Sequence, residues 1–135
     1  MTTELLAPAG GQEALVAAVQ SGADAVYMGF GAFNARRSAR NFSDEEFRAA
    51  VSYCHLRGVK VYLTLNTLVT DRELPALAAE ARTASECGVD AILVQDWGVL
   101  ATLQKIIPDV PLHASTQMSL HTLSGVKETA RLGMT

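Results

Sequence analysis

The sequence predicts an α/β fold of five strand–helix units, and three observations carry that prediction. Short apolar runs alternate with segments of helical period, one phrase recurs at each helix-to-strand junction, and the strands alternate between an aliphatic and a partly polar face. The recurring phrase is Ser21-Gly22-Ala23-Asp24, Arg57-Gly58-Val59-Lys60 and Cys87-Gly88-Val89-Asp90. In each, a glycine just past the helix supplies the left-handed backbone that stops it, and the apolar run behind enters a sheet. Leu132-Gly133-Met134-Thr135 starts the phrase again with no strand to follow, so the pattern reads as a repeat interrupted at a unit boundary.

Taken in order, Leu5 to Ala7 form the first strand, and Gly10-Gly11 open a helix that Gly22 ends. Ala25 to Phe30 form the second strand. After a long loop, Ser43 with Glu46 fits a capping box, in which hydroxyl and carboxylate satisfy orphan backbone donors at a helix start. Val59 to Leu65 form the third strand, and Thr70 with Glu73 marks a second capping box. The helix behind it carries Leu74, Leu77, Ala78 and Ala81 on one stripe, which should pack on the sheet. Ala91 to Gln95 form the fourth strand, and Asp96 caps a helix running from Trp97 toward Ile107. Pro108 and Pro111 then force an extended turn into the fifth strand, Leu112 to Ser115.

Strand, helix and strand in succession imply a parallel sheet with right-handed crossovers, which leaves two architectures. One is a flavodoxin-like doubly wound sheet, for which this length suffices. The other is the first five βα units of a TIM-type (β/α)8 barrel, which needs about 250 residues, so that residues 1–135 form a single partial barrel domain. Side-chain alternation favours the barrel. Val61, Leu63 and Leu65 alternate with Tyr62, Thr64 and Asn66; Ile92 and Val94 with Leu93 and Gln95; Leu112 and Ala114 with His113 and Ser115. Glu4, Leu6 and Pro8, then Tyr27 and Gly29, extend the second lane, which turns polar toward the strand ends as a barrel interior does. A partial barrel leaves open edges, which predicts self-association with a second copy.

Composition narrows the function classes. A chain of 135 residues, 49% hydrophobic and 19% charged, has the makings of a packed core. The net charge of -3 exerts no global pull on nucleic acid or an anionic membrane, so an anion site must be a local patch. Cys54 and Cys87 lie far apart and outside any metal-ligand spacing, as reduced thiols of a cytosolic protein do. No signal peptide precedes the first strand and no apolar run approaches the roughly 20 residues of a membrane span, so a cytoplasmic protein with no membrane partner is expected.

In both architectures ligands bind beyond the carboxyl ends of the strands. Asn66, Gln95, Asp96, His113, Ser115, Thr116 and Gln117 converge there, joined by the loop 31–42 with Asn34. Within that loop Arg36, Arg37 and Arg40 offer guanidinium forks for a carboxylate or phosphate, and Phe33 and Phe42 either anchor the loop or stack on a ring. A solvated charged loop and a closing lid are the alternatives. His113 and Ser115 share a strand face, which invites a serine nucleophile with a histidine base. Their backbones stand about 6.5–7 Å apart, however, and no G-x-S-x-G elbow is present. His113 is better read as a substrate hydrogen-bonding residue or as part of a polar core. Gly10-Gly11 offers backbone donors to an anion but lacks the G-x-G-x-x-G and P-loop spacings.

Six blocks of the sequence are similar to the N-terminal region of the collagenase-like peptidase family U32. They are Glu4-Leu5-Leu6-Ala7-Pro8-Ala9-Gly10, Gly22-Ala23-Asp24-Ala25-Val26-Tyr27-Met28-Gly29, Phe33-Asn34-Ala35-Arg36 with Arg40-Asn41-Phe42-Ser43, Asn66-Thr67-Leu68, Val94-Gln95-Asp96, and His113-Ala114-Ser115-Thr116-Gln117-Met118. The resemblance implies a TIM-barrel catalytic region in an intracellular, mostly bacterial protein. Some members are described as peptidases; others support hydroxylation of transfer or ribosomal RNA nucleosides, or of the ubiquinone ring. Peptide, RNA or an anionic small molecule are therefore the implied partners. The family's cysteine-rich region and the cysteines that hold an iron–sulfur cluster in its hydroxylating members lie beyond the part covered here, and Cys54 and Cys87 match none of them. The resemblance thus implies a cluster in a full-length parent, no cofactor in this chain, and no activity from this chain alone.

Overall fold

The structure, a computed structural model, describes residues 3–35 and 42–135. Its elements run β1 (Leu6–Pro8), α1 (Gln12–Gln20), β2 (Ala25–Met28), α2 (Asp44–His55), β3 (Lys60–Leu65), α3 (Leu74–Cys87), β4 (Ala91–Val94), α4 (Trp97–Ile106), β5 (Leu112–Ala114), a 3-10 turn (Thr116–Met118) and α5 (Leu123–Arg131). The five strands are parallel and lie in chain order, each beside its predecessor. A flavodoxin-like sheet would place β1 between β2 and β3. Chain order is that of a barrel wound in one direction, and the fold is the first part of a TIM-type barrel.

The recurring phrase does its predicted work. Gly22, Gly58, Gly88 and Gly133 have φ of 90°, 71°, 83° and 85°, the left-handed region that a side chain would strain. The fourth phrase departs from expectation, since Met134 forms a parallel bridge with Leu112 and Thr135 N–H donates to Leu112 O at 3.0 Å. The fourth phrase thus ends in an isolated parallel bridge to β5. The second residue after the glycine also sorts the phrases. Asp24 and Asp90 accept the backbone N–H of Leu5 and Val61 at 2.7 Å, pinning β2 to the start of β1 and β4 to β3. Lys60, at the same place in its phrase, instead pairs with Glu4 at 2.8 Å.

Ser43 and Glu46 form the expected capping box, with bonds of 3.2 and 2.9 Å. Thr70 and Glu73 form only half of one. The Glu73 carboxylate reaches back to Thr70 N–H at 2.8 Å, but Glu73's own amide bonds to the Thr70 carbonyl. The Thr70 hydroxyl is left to donate to the carboxylate, and α3 starts at Leu74 with Pro75 in its first turn. Leu77, Ala78, Ala81 and Ala84 form its buried stripe, with Leu74 half-buried.

Strand register confirms the two lanes. Val26, Met28, Val61, Leu63, Leu65, Ile92, Val94 and Leu112 join Leu15, Phe47, Leu77 and Leu103 of the helices in one core. On the opposite face Ala25, Tyr62 and Ala91, with Tyr27 and Leu93, form a separate cluster. Contacts on this second face skip a strand. Glu4, just before β1, accepts from Lys60 and from the Tyr62 hydroxyl on β3, the latter at 2.6 Å. Tyr62 packs edge-on to His113 of β5 with ring centroids 5.0 Å apart, and Asn66, at the end of β3, bonds Ser115, at the end of β5. In a flat sheet such strands stand about 10 Å apart, twice the inter-strand spacing. Their side chains meet because the sheet curves and because Ala25, paired with Lys60, and Ala91, paired with Tyr62, leave room above β2 and β4. This is the layering of alternate strands found inside TIM barrels.

Ala91→Leu should therefore wedge Tyr62 from His113 and destabilise the fold by about 1–3 kcal/mol in urea unfolding. Ala79→Leu, on the exposed side of α3, should cost almost nothing; equal midpoints for the two variants would contradict the layered interior.

Candidate functional site

The carboxyl ends of the strands surround a cavity of about 720 Å³. Tyr27, Tyr62, Thr64 and Leu93 line its lower part, and Asn34, Asn66, His113, Ser115 and Gln117 its rim. No side chain among these described lining residues carries a fixed charge. Burial, more than the opposing pull of Glu4, holds the His113 ring below its usual pKa, so it is neutral. Burial first, and then the hydrogen bond to the Glu4 carboxylate, push the Tyr62 hydroxyl up to about 12. The Lys60 and Tyr62 bonds to Glu4 in turn hold that carboxyl below its usual range. Among the described residues of this face, the charged pair Glu4–Lys60 thus lies at the amino ends of the strands, while the cavity lining carries no charged side chain.

A chain of hydrogen bonds orders the rim. Ala35 N–H donates to Asn66 Oδ1 at 3.1 Å, Asn66 Nδ2 donates to Ser115 Oγ at 3.2 Å, and Gln117 N–H donates to the same oxygen at 3.2 Å. Below them the Thr64 hydroxyl donates to the Met28 carbonyl at 3.2 Å. Asn34 is 1% exposed and lies over Gly29, where a Cβ would stand 2.6 Å from Asn34 Cγ. Only glycine at that position admits the asparagine.

Six of the residues singled out by sequence at the strand ends therefore meet at the cavity: Asn34, Asn66, His113, Ser115, Thr116 and Gln117. Gln95 and Asp96 do not line it. Asp96 Oδ1 is the N-cap of α4, accepting from Gly98 and Val99 N–H at 2.7 and 3.0 Å. Arg36, Arg37 and Arg40 lie outside the described residues. Phe33 and Phe42 are buried in the helix-side core, where Phe42 bridges Phe30 and Phe30 stacks on Phe47 at 4.4 Å; they fasten the loop ends to that core. Tyr27, Tyr62 and Thr64 were absent from the sequence candidates, although their lane parity marks them as inward. Among the described residues no hydrogen bond joins His113 to Ser115, so the pair lacks the contact a triad requires. Gly10 and Gly11 border a second cavity of about 690 Å³, but Glu13 and Glu46 line it too and disfavour an anion there.

The cysteines do not fit an iron–sulfur cluster. Cys54 sits in the helix-side core, where burial pushes its thiol up to about 11, and half-buried Cys87 is raised by the same cause. Such clusters are held by four thiolates in most cases. Among the described residues no group of three His, Cys, Asp or Glu side chains is placed to hold a metal, and no helix is long and apolar enough to cross a membrane.

At the start of the loop after β2, Gly31 has φ of 66° and packs against the Glu80 carboxyl, which also accepts Ala32 N–H at 3.3 Å. The other oxygen, Oε1, is buried and meets no donor among the described residues. Burial, with a smaller push from Asp44 and against the Ala32 bond, raises this carboxyl to about 7.

The family model described as peptidase family U32 matches residues 10–135. The chain is 40% identical over 134 residues to the 23S rRNA 5-hydroxycytidine C2501 synthase of Escherichia coli K12, covering 98% of this chain and 20% of that protein. It is 34% identical over 125 residues to a collagenase of Porphyromonas gingivalis, covering 92% and 30%. The structure of the U32 peptidase Mk0906 overlays with a TM-score of 0.74 at 17% identity, across 98% of this chain and 56% of its own, a likeness of fold. The chain thus spans less than a third of the length of these two curated relatives.

Two titrations test the electrostatics. Glu80 in the folded chain keeps its proton up to about pH 7, against 4.5 for the ordinary carboxyl. Its contribution to stability is therefore complete below pH 4.5 and lost as pH rises through 7. Allowing for solvent screening, wild type should lose about 2 kcal/mol between pH 5 and 8 relative to Glu80→Gln; parallel stability curves would remove Glu80 from this role. By ring-proton NMR, His113 should titrate below 6.5. Glu4→Gln should lower that midpoint further, since it removes the charge that favours imidazolium, and an upward move would refute the coupling.

Proposed function

Because the chain belongs to peptidase family U32, we propose that it forms the substrate-side part of a protein that hydroxylates an RNA nucleoside. The observation that carries this reading is the uncharged lining that the described residues give the mouth, walled by Tyr27, Tyr62 and His113 and rimmed by the amides of Asn66 and Gln117. A nucleobase is planar and uncharged, with donors and acceptors along its edge, and such rings bind between aromatic side chains with amides at their margins. Arg36, Arg37 and Arg40, read from the sequence, suit the phosphates such a substrate carries. The relative at 40% identity, named for making hydroxycytidine in ribosomal RNA, supports the same reading. In this scheme the residues of this chain bind and orient the base and exclude water from it. The oxidising chemistry belongs to other parts of a longer protein. A cytoplasmic location follows from the substrate.

The collagenase name of the second relative is the weaker guide to chemistry, because Ser115 and His113 do not form an activated nucleophile pair.

Deleting the gene in its parent organism should remove from ribosomal or transfer RNA a pyrimidine nucleoside one oxygen heavier than its precursor, read by mass spectrometry of digested RNA. Restoring the full-length gene should return it, and a His113→Ala copy should return less than about a tenth. An unchanged nucleoside profile in the deletion strain would sink the proposal.

A further inference from the structure

Ser115 is 4% exposed and lines the mouth at the end of β5. A hydroxyl has two lone pairs and one proton, and here the neighbours decide how each is used. The Ala35 amide can only donate, so Asn66 must turn Oδ1 toward it. That turns Nδ2 toward Ser115 and makes Asn66 the donor in their bond. Gln117 N–H, at the start of the 3-10 turn, donates to the same Ser115 oxygen. Both lone pairs are taken. The proton remains, and among the described residues no acceptor takes it.

From this geometry we infer that Ser115 is a specificity residue of the mouth, whose hydroxyl proton donates to a carbonyl oxygen on the bound ring. The inference rests on the reading that the mouth holds a nucleobase, and it adds which edge of the base is recognised and by what. An amino group at that place would meet the Ser115 proton donor to donor. A weaker acceptor would leave a buried donor poorly paired, which costs more than the bond itself contributes. The same assignment removes Ser115 as an acyl-forming serine, since attack needs a free lone pair and a base to take the proton.

The full-length protein should be titrated with cytidine 5′-monophosphate and with 2-thiocytidine 5′-monophosphate, in which sulfur replaces the ring's one carbonyl oxygen. Wild type and Ser115→Thr, which keeps the hydroxyl, should bind the oxygen form about tenfold more tightly than the sulfur form. Ser115→Ala should bind cytidine monophosphate about tenfold more weakly and show no preference. Wild type that binds both probes equally, or Ser115→Ala that keeps the preference, overturns the assignment while leaving the nucleobase reading intact. Wild type that binds neither probe overturns both. Covalent labelling of Ser115 by a fluorophosphonate would also overturn it, by showing a nucleophile. Should Ser115→Ala fail to fold, the wild-type preference, its retention in Ser115→Thr and the labelling result still decide.

Discussion

The small residues on the inner face of β2 and β4 are the constraint on which the rest of the structure depends. Ala25 and Ala91 are fully buried, and each faces a large side chain of β3 across the ladder. Because they project so little, side chains of the first, third and fifth strands close over them. Tyr62 stands at the centre of this closure, with its hydroxyl on Glu4 and its ring against His113. The mouth therefore rests on a packed floor, and the position of His113 and Ser115 is set by a side chain two strands away.

The two faces of the sheet divide the physical work. The helix-side face is aliphatic and carries the bulk of apolar burial, the main driving term for folding. The inner face holds the polar groups, arranged by depth. The Glu4–Lys60 pair lies at the amino ends of the strands where both side chains are partly exposed, so neither ion bears a full desolvation penalty. Toward the carboxyl ends the described groups of this face are hydroxyls, amides and a neutral imidazole, and Asn66, Ser115 and Thr64 are held in place by bonds to one another and to backbone. A planar neutral ligand entering there displaces water without stripping an ion of its shell.

Features with a short period were legible in the sequence. Alternation along Val61 to Asn66 assigned both faces correctly, and the glycine phrase marked four helix ends, because each rests on local backbone geometry. Alternation also favoured the barrel over the doubly wound sheet, and strand order bears this out; the contacts that close the interior, such as Glu4 with Tyr62, were not legible because they join residues far apart in the chain. Asp96 shows a different limit: an acidic residue just after a strand reads equally as a ligand-binding group or as the cap of the next helix, and here it is the cap. Glu80 was invisible because its meaning depends on Gly31, which lies nearly fifty positions away and meets it only after α3 docks. Tyr27 and Tyr62 were assigned to the correct lane yet left out of the site. Aromatic residues draw notice as core before they draw notice as walls.

The aspartates that follow Gly22 and Gly88 give the fold a longer period than its architecture suggests. Each of the first four units is one strand and one helix, yet Asp24 and Asp90 clasp backward while Lys60 between them pairs with Glu4, so β1 to β4 are written as two couplets. Duplication, deletion or permutation of such a barrel is constrained accordingly. Removing a couplet leaves each clasp with its strand, whereas removing one unit sets a lysine against an amide that needs an acceptor. The smallest piece that can be copied or exchanged without breaking this grammar is a pair of strands.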